Sequence, residues 1–287
     1  MDKLAELAAK QGTVLGDGAM GTMLHRAGLI HGAPERWNVE RPDVVLGIHR
    51  GYVEAGSDFI STNTFGGTRN RLALDGLVER VAELNEAGVR LAREAAGSRL
   101  VAGSMGPTGE LMEPLGLLTP DGARASFAEQ ARALKAGGAD FALIETMSAL
   151  EEVQAAVEGA REAGLPAVVT MSFDTHFRTM MGVKPAAALA AISALGVQVI
   201  GANCGNGPGE IERVMTEMSQ ALPVGVVLMA KSNAGMPRWK DDRITYGGTP
   251  EVMADYARKM ARLGVRVIGG CCGSTPEHIA AMRSALA

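Results

Sequence analysis

The 287-residue chain has three cysteines, Cys204, Cys271 and Cys272, two of them adjacent in sequence. Three thiols cannot form a closed disulfide framework, and a chain this long needs none. Three thiolates on one side of a divalent cation, with a fourth position open, make a catalytic zinc arrangement, and soft sulfur selects zinc over magnesium or calcium. The spacing is not that of a Cys-x-x-Cys zinc site, and free cysteines are also commonly small buried hydrophobes. Both readings stand on the cysteines alone. Asp17 and Glu145 offer a carboxylate clamp for an ammonium group. An N-cap for the segment beginning at Gly18, or a structural ion pair, is the alternative for Asp17. The run Gly18-Ala19-Met20-Gly21 can turn backbone N–H groups toward a carboxylate. Two carboxylates beside N–H donors describe a site for an amino acid. Lys231 is a Schiff-base amine or, more economically, an ion-paired lysine.

These residues need a scaffold that brings distant parts of the chain together. Eight short, nearly continuous apolar runs occur at 13–16, 58–62, 100–104, 141–145, 167–172, 198–203, 224–230 and 266–270. Unbroken apolar runs of this length read as strands covered on both faces, as in a parallel sheet. Helical stretches at 80–94, 123–136, 149–162, 185–194, 209–220 and 250–262 lie between them, and several end in a glycine that opens the next strand: Gly137, Gly164, Gly196 and Gly264. Eight βα units predict an α/β fold, a (β/α)8 TIM barrel, with residues 1–287 forming one domain. A helix over 2–10 precedes the first strand and is placed to plug the barrel floor. Loops at 105–120 and 231–249 follow strands and so belong at the mouth. There, Asp17, Glu145 and all three cysteines lie at strand ends, where barrels keep their chemistry. Cys271 and Cys272 cannot both point inward from a regular strand. Gly269, Gly270 and Gly273 give the backbone room to turn there.

Composition removes several functional classes. Lys and Arg number 28 against 32 Asp and Glu, a net charge of −4, so no basic excess exists to hold nucleic acid or an anionic membrane surface. No apolar run reaches the length of a spanning helix. The N-terminal residues carry no apolar signal core, and a cytoplasmic location is expected.

In chain order, Asp17-Gly18-Ala19-Met20-Gly21-Thr22, Glu54-Ala55-Gly56-Ser57-Asp58, Thr62-Asn63-Thr64-Phe65, Gly201-Ala202-Asn203-Cys204, Asn233-Ala234-Gly235 and Gly269-Gly270-Cys271-Cys272-Gly273 make the chain resemble the homocysteine S-methyltransferase family over nearly its full length. The resemblance covers the homocysteine-binding module of cobalamin-dependent methionine synthase and the betaine–homocysteine enzymes. It implies a barrel that transfers a methyl group to the homocysteine thiol, with Zn2+ held by Cys204, Cys271 and Cys272. It also implies Asn233 as a fourth ligand when substrate is absent, and Asp17 and Glu145 on the homocysteine amino group. Gly18, Ala19, Asn63 and Thr64 then face its carboxylate, and Trp37 stands on the donor side. The donor is left open among S-methylmethionine, betaine, another sulfonium and a methylcorrinoid protein. The alternatives are a homocysteine-binding subunit that acts only with a separate methylcorrinoid protein and, remotely, a Schiff-base lyase on Lys231. Two departures concern the donor. Gly66 stands where betaine enzymes carry a tyrosine, and Lys231-Ser232 replaces the proline that usually precedes Asn-Ala-Gly. Asp174-Thr175-His176 opens like a corrinoid-binding pattern without its later glycine. Neither His176 nor His278 is assigned chemistry.

Overall fold

The computed structural model describes residues 3–240 and 243–287. Among the described residues there are ten strands: β1 (Val14–Leu15), β2 (Phe59–Ser61), β3 (Leu100–Met105), β4 (Phe141–Met147), β5 (Ala167–Met171), β6 (Val199–Cys204), β7 (Val227–Ser232), β8 (Pro237–Lys240), β9 (Arg243–Tyr246) and β10 (Val267–Gly270). Eight of them pair in parallel in the order β1-β10-β7-β6-β5-β4-β3-β2. Helices follow each of these strands, as the alternation in the sequence requires.

Side-chain alternation divides the apolar residues into two layers. Val14, Phe59, Phe141, Leu143, Val168, Val199, Met229 and Val267 fill the barrel interior together with Leu4 and Ala8. The latter two come from the helix Lys3–Gln11, which therefore does close the floor. The alternate residues Leu15, Ile60, Val101, Ile144, Val169, Ile200, Leu228 and Ile268 face the surrounding helices. Helix starts are punctuated as the sequence suggests. Thr119 and Thr249 accept first-turn N–H groups ahead of Pro120 and Pro250. His278 completes a capping box with Thr275 and also meets the Gly248 carbonyl at 2.9 Å.

β1 and β2 do not share a regular ladder, and aspartates stitch the seam between them. Toward the floor, Asp58 Oδ2 accepts the Leu15 N–H at 2.7 Å while the Asp58 N–H donates to the Leu15 carbonyl at 2.7 Å. Toward the mouth, Asp17 Oδ2 accepts the Ser61 N–H at 2.6 Å.

Two expectations shift. The strand expected over 224–230 begins only at Val227, because Gly225 at φ 83° belongs to a turn closed by Val226 N–H on the Pro223 carbonyl. It then continues through Lys231 and Ser232. The remainder of the expected loop 231–249 holds the antiparallel hairpin β8–β9, whose strands are too short and polar to announce themselves.

Candidate active site

The three cysteines converge. Their sulfurs all lie within 4.8 Å of one another, with Cys271 Sγ 3.5 Å and Cys272 Sγ 3.8 Å from Cys204 Sγ. Each is delivered by a departure from regular strand. Cys204 ends β6 in the left-handed region at φ 66°, a conformation that costs a non-glycine residue roughly 1 kcal/mol or more. Cys271 follows β10, its N–H bonded to the Ser232 carbonyl at 2.7 Å, and the Cys272 carbonyl receives the Ala234 N–H at 2.9 Å. The flanking glycines have separate reasons. A Cβ on Gly270 would lie 2.3 Å from Ser274 Oγ, and one on Gly273 (φ 81°) would lie 2.3 Å from the Tyr246 ring.

The thiols compete for protons. Hydrogen bonds from Cys204 and Cys271 push Cys272 down, while the bonds Cys204 shares with Cys271 and Cys272 push it up. The cluster thus accepts one negative charge readily and resists further ionisation unless a cation joins it. Asn233 supplies the complementary observation. Its Nδ2 donates to the Gly205 carbonyl at 2.5 Å, but its buried Oδ1 has no hydrogen-bond partner. Three close thiols and an orphaned amide oxygen on an adjoining strand end form a donor set that fits a tetrahedral thiophilic cation such as zinc.

These sulfurs form part of the wall of a cavity of about 350 Å³. Its inner part includes Gly18 to Thr22, Ser61, Asn63, Glu145 and Lys231. Glu145 Oε1 accepts from Ser104 Oγ at 2.6 Å, and burial pushes its carboxyl up despite the opposing charge of Lys231. Asp17 is more fully engaged. Oδ1 accepts Ser61 Oγ at 3.0 Å and Lys231 Nζ at 3.1 Å, and Oδ2 serves the seam. Lys231 is itself buried. Burial alone would drain its proton, but Asp17 and Glu145 outweigh it and hold the ammonium well above the ordinary lysine value. A lysine held protonated is no Schiff-base nucleophile, so the ion-paired reading of Lys231 is the one the geometry carries.

The glycine-rich run does not stay a loop. A helix begins at Met20 with no side-chain cap at Ala19, leaving first-turn N–H groups at the cavity wall. The Ala19 N–H itself is bonded to the Ser274 carbonyl at 3.3 Å.

The model of the family described as homocysteine S-methyltransferase matches residues 14–286. Methionine synthases of Mycobacterium leprae and Mycobacterium tuberculosis are each 36% identical to the chain, covering 100% and 96% of it respectively. The chain spans about a quarter of their length, 25% of each. The metallated form of the homocysteine methyltransferase MmuM from Escherichia coli superimposes with a TM-score of 0.80 at 26% identity, over 98% of this chain and 99% of that one. Its oxidised form gives 0.79 at 25%. The chain belongs to the homocysteine S-methyltransferase family.

Within that family frame, the remaining expected residues fall in different places. Asn63 lines the cavity, with Nδ2 donating to the Pro34 carbonyl and Asn38 Oδ1. Thr64 is fully buried behind it, its hydroxyl donating to the Ser104 carbonyl at 2.8 Å. Trp37 is outside the cavity wall. Its ring packs on the core and carries the Arg41 guanidinium at 5.3 Å. Trp37 is thus not among the residues lining this cavity, and its neighbour Asn38 bonds Asn63. Gly66 does line the cavity, and a Cβ there would come 3.1 Å from the Glu35 carboxylate, which accepts the Gly66 N–H at 2.6 Å. Glycine at 66 thus goes with buried Glu35. His176 lies in an exposed loop.

Several site residues escaped the sequence. Asn203 is fully buried and accepts the Thr146 N–H and the Thr170 hydroxyl on Oδ1. Its Nδ2 donates to Thr146 Oγ1 and reaches Cys271 Sγ at 3.8 Å. It holds Thr146, at φ 63°, in the bulge of β4 beside Glu145. The neighbouring Asn-Cys pair was the available signal. Ser61, Ser104, Glu35 and Tyr246 had none.

Proposed function

We propose that the chain transfers a methyl group to the sulfur of homocysteine, giving methionine, with zinc held by Cys204, Cys271 and Cys272 and with Asn233 as the ligand that yields to substrate. The observation that carries this reading is the convergence of all three thiols at one wall of the cavity that also presents Glu145 and Lys231, with the orphaned Asn233 oxygen buried at the adjoining end of β7. When bound, zinc supplies the acceptor sulfur with a thiolate state at neutral pH, where a free thiol is only a few per cent ionised. The chain's own residues do the rest. Glu145 keeps one oxygen on Ser104 and presents the other to the acceptor's ammonium. The first-turn N–H groups after Ala19 and the Asn63 turn face its carboxylate. Held at both ends of its amino-acid head, the acceptor points its sulfur in one direction, which is the proximity contribution to methyl transfer. Asn203 ties Thr146 to Cys271, so the ammonium site and the metal site keep a fixed separation. A reducing compartment such as the cytoplasm suits three free thiols this close together.

Two donor classes have structural support. Besides Glu145 and Lys231, the cavity is lined by the charged groups Glu35, Arg71 and Asp75, and Phe65 is its one aromatic among the described residues. One aromatic face is a poor cage for betaine, whereas carboxylates suit a small sulfonium such as S-methylmethionine. The second reading is a methylcorrinoid protein. Leu111, Leu115, Leu117, Met180, Met236 and Trp239, all in segments that follow barrel strands and so on the mouth side, are exposed by 55% or more, which suits a macromolecular contact there. Zinc-loaded protein with homocysteine, tested against S-methylmethionine, betaine, another sulfonium and methylcobalamin, decides between them. Turnover with a sulfonium supports the first reading; turnover only with a methylcorrinoid supports the second. Zinc-loaded protein that methylates no thiol with any donor overturns both. Cys271→Ala is expected to remove both metal and methyl transfer, and full activity without metal would refute the zinc assignment.

A further inference from the structure

Lys231 is the one cation buried in the inner part of the cavity wall among the described residues. Its position depends on three strands. It leaves β7 opposite Gly269 of β10, and its stem lies across that glycine, where a Cβ would come 3.1 Å from Lys231 Cγ and 3.4 Å from Cε. Beyond it, Nζ reaches Asp17 Oδ1 and Ser61 Oγ, each at 3.1 Å. An ammonium has three N–H donors. Two are engaged, and the third has no acceptor among the described residues.

The two carboxylates nearest Lys231 in charge, Asp17 and Glu145, are not equivalent, and only Glu145 lines the cavity. Asp17 already accepts three hydrogen bonds, from Ser61 N, Ser61 Oγ and Lys231. Glu145 accepts one, from Ser104. An incoming ammonium therefore finds its free acceptor on Glu145. An incoming carboxylate meets Glu145, which repels it, and one buried positive group, Lys231, with a donor to give.

We propose that Lys231 is a specificity-determining residue that binds the carboxylate of the acceptor amino acid, and that Asp17 serves to orient Lys231 and to close the β1/β2 seam while Glu145 alone takes the ammonium. This assignment rests on the reading of the cavity as an acceptor site for homocysteine. It divides the expected Asp17–Glu145 clamp into two separate functions.

The test compares three thiols on protein loaded with cobalt in place of zinc, with the thiolate-to-cobalt absorption reporting binding without turnover. Homocysteine carries both head groups, 4-mercaptobutanoate lacks the ammonium, and 3-aminopropane-1-thiol lacks the carboxylate. Lys231→Met is expected to weaken homocysteine and 4-mercaptobutanoate by about 10- to 100-fold, the usual loss for a charge-assisted hydrogen bond, and to leave 3-aminopropane-1-thiol within about twofold. Because Lys231→Met leaves Asp17 unpaired and threatens folding, the charge-balanced double variant Lys231→Met with Asp17→Asn is measured beside it and is expected to show the same pattern. Equal weakening of all three thiols in the double variant, or unchanged homocysteine binding, overturns the assignment. Unaltered protein that binds 3-aminopropane-1-thiol but not homocysteine also overturns it. Unaltered, cobalt-loaded protein that binds no thiol overturns the acceptor reading itself and is distinguished by that control.

Discussion

The two ends of the β1/β2 seam use the same chemical device in different surroundings. At the floor, Asp58 accepts a backbone N–H from β1 and pairs with Arg283 at 2.6 Å, with the two side chains 21% and 37% exposed. At the mouth, Asp17 accepts a backbone N–H from β2 and pairs with Lys231 in a site where both side chains are at most 4% exposed. Water can replace the arginine at the floor. At the mouth, loss of either partner strands a charge in a low-dielectric wall. The same stitch is therefore a replaceable fastening at one end and, at the other, a fixed electrostatic element beside the thiols.

The contrast is open to direct attack. Asp17→Ala leaves the Lys231 ammonium buried and unpaired, a loss of about 3–5 kcal/mol in unfolding free energy, and chemical denaturation that finds it no worse than a floor substitution would break the comparison. Restoring neutrality with the Lys231→Met, Asp17→Asn pair should recover most of that loss.

The next effect depends on pH. His49, on the helix Pro42–Glu54 and within the field of Asp17, is fully buried with neither ring nitrogen bonded, and burial lowers its pKa to about 4 from 6.5. The folded state thus refuses a proton that the unfolded chain accepts below pH 6.5. The stability so contributed is complete above pH 6.5, is lost as pH falls toward 4, and amounts to about 3 kcal/mol. Denaturation curves of the protein and of His49→Leu across this window should differ in slope, and identical slopes would remove His49 from the account.

At the floor the expected changes are smaller. Asp58→Ala leaves the buried Leu15 N–H without its carboxylate, about 1–3 kcal/mol, and should leave thiol binding by the cobalt-loaded protein unchanged. Arg283→Met should cost about 1 kcal/mol or less, as partly exposed pairs do, and the loss should shrink in high salt. A change in thiol affinity from either floor variant would show that the two ends are coupled.

The barrel was legible because its information is local. The barrel strands read as short, largely apolar runs, and several helices end in a glycine. The cysteines were legible because Cys271 and Cys272 adjoin between glycines at a strand end. What remained hidden depends on several strands at once. Nothing near Lys231 in sequence says that Gly269 clears its path or that Asp17, more than two hundred residues away, receives it. The bulge at Thr146 requires Asn203 from another strand, and the hairpin β8–β9 has too few residues for a period to emerge. Trp37 shows the converse: a matching residue type at a matching position that does not line the cavity.

The lysine's course over Gly269 has a consequence for how this site can change. An alanine at 269 would press on the lysine stem and, at 3.2 Å, on the Asp17 carbonyl, so the two positions are epistatic. Exchanging the internal cation for a smaller neutral residue first and filling position 269 second avoids the contact with the lysine stem. The reverse order passes through a crowded intermediate. The order in which the two positions change therefore matters at this barrel mouth.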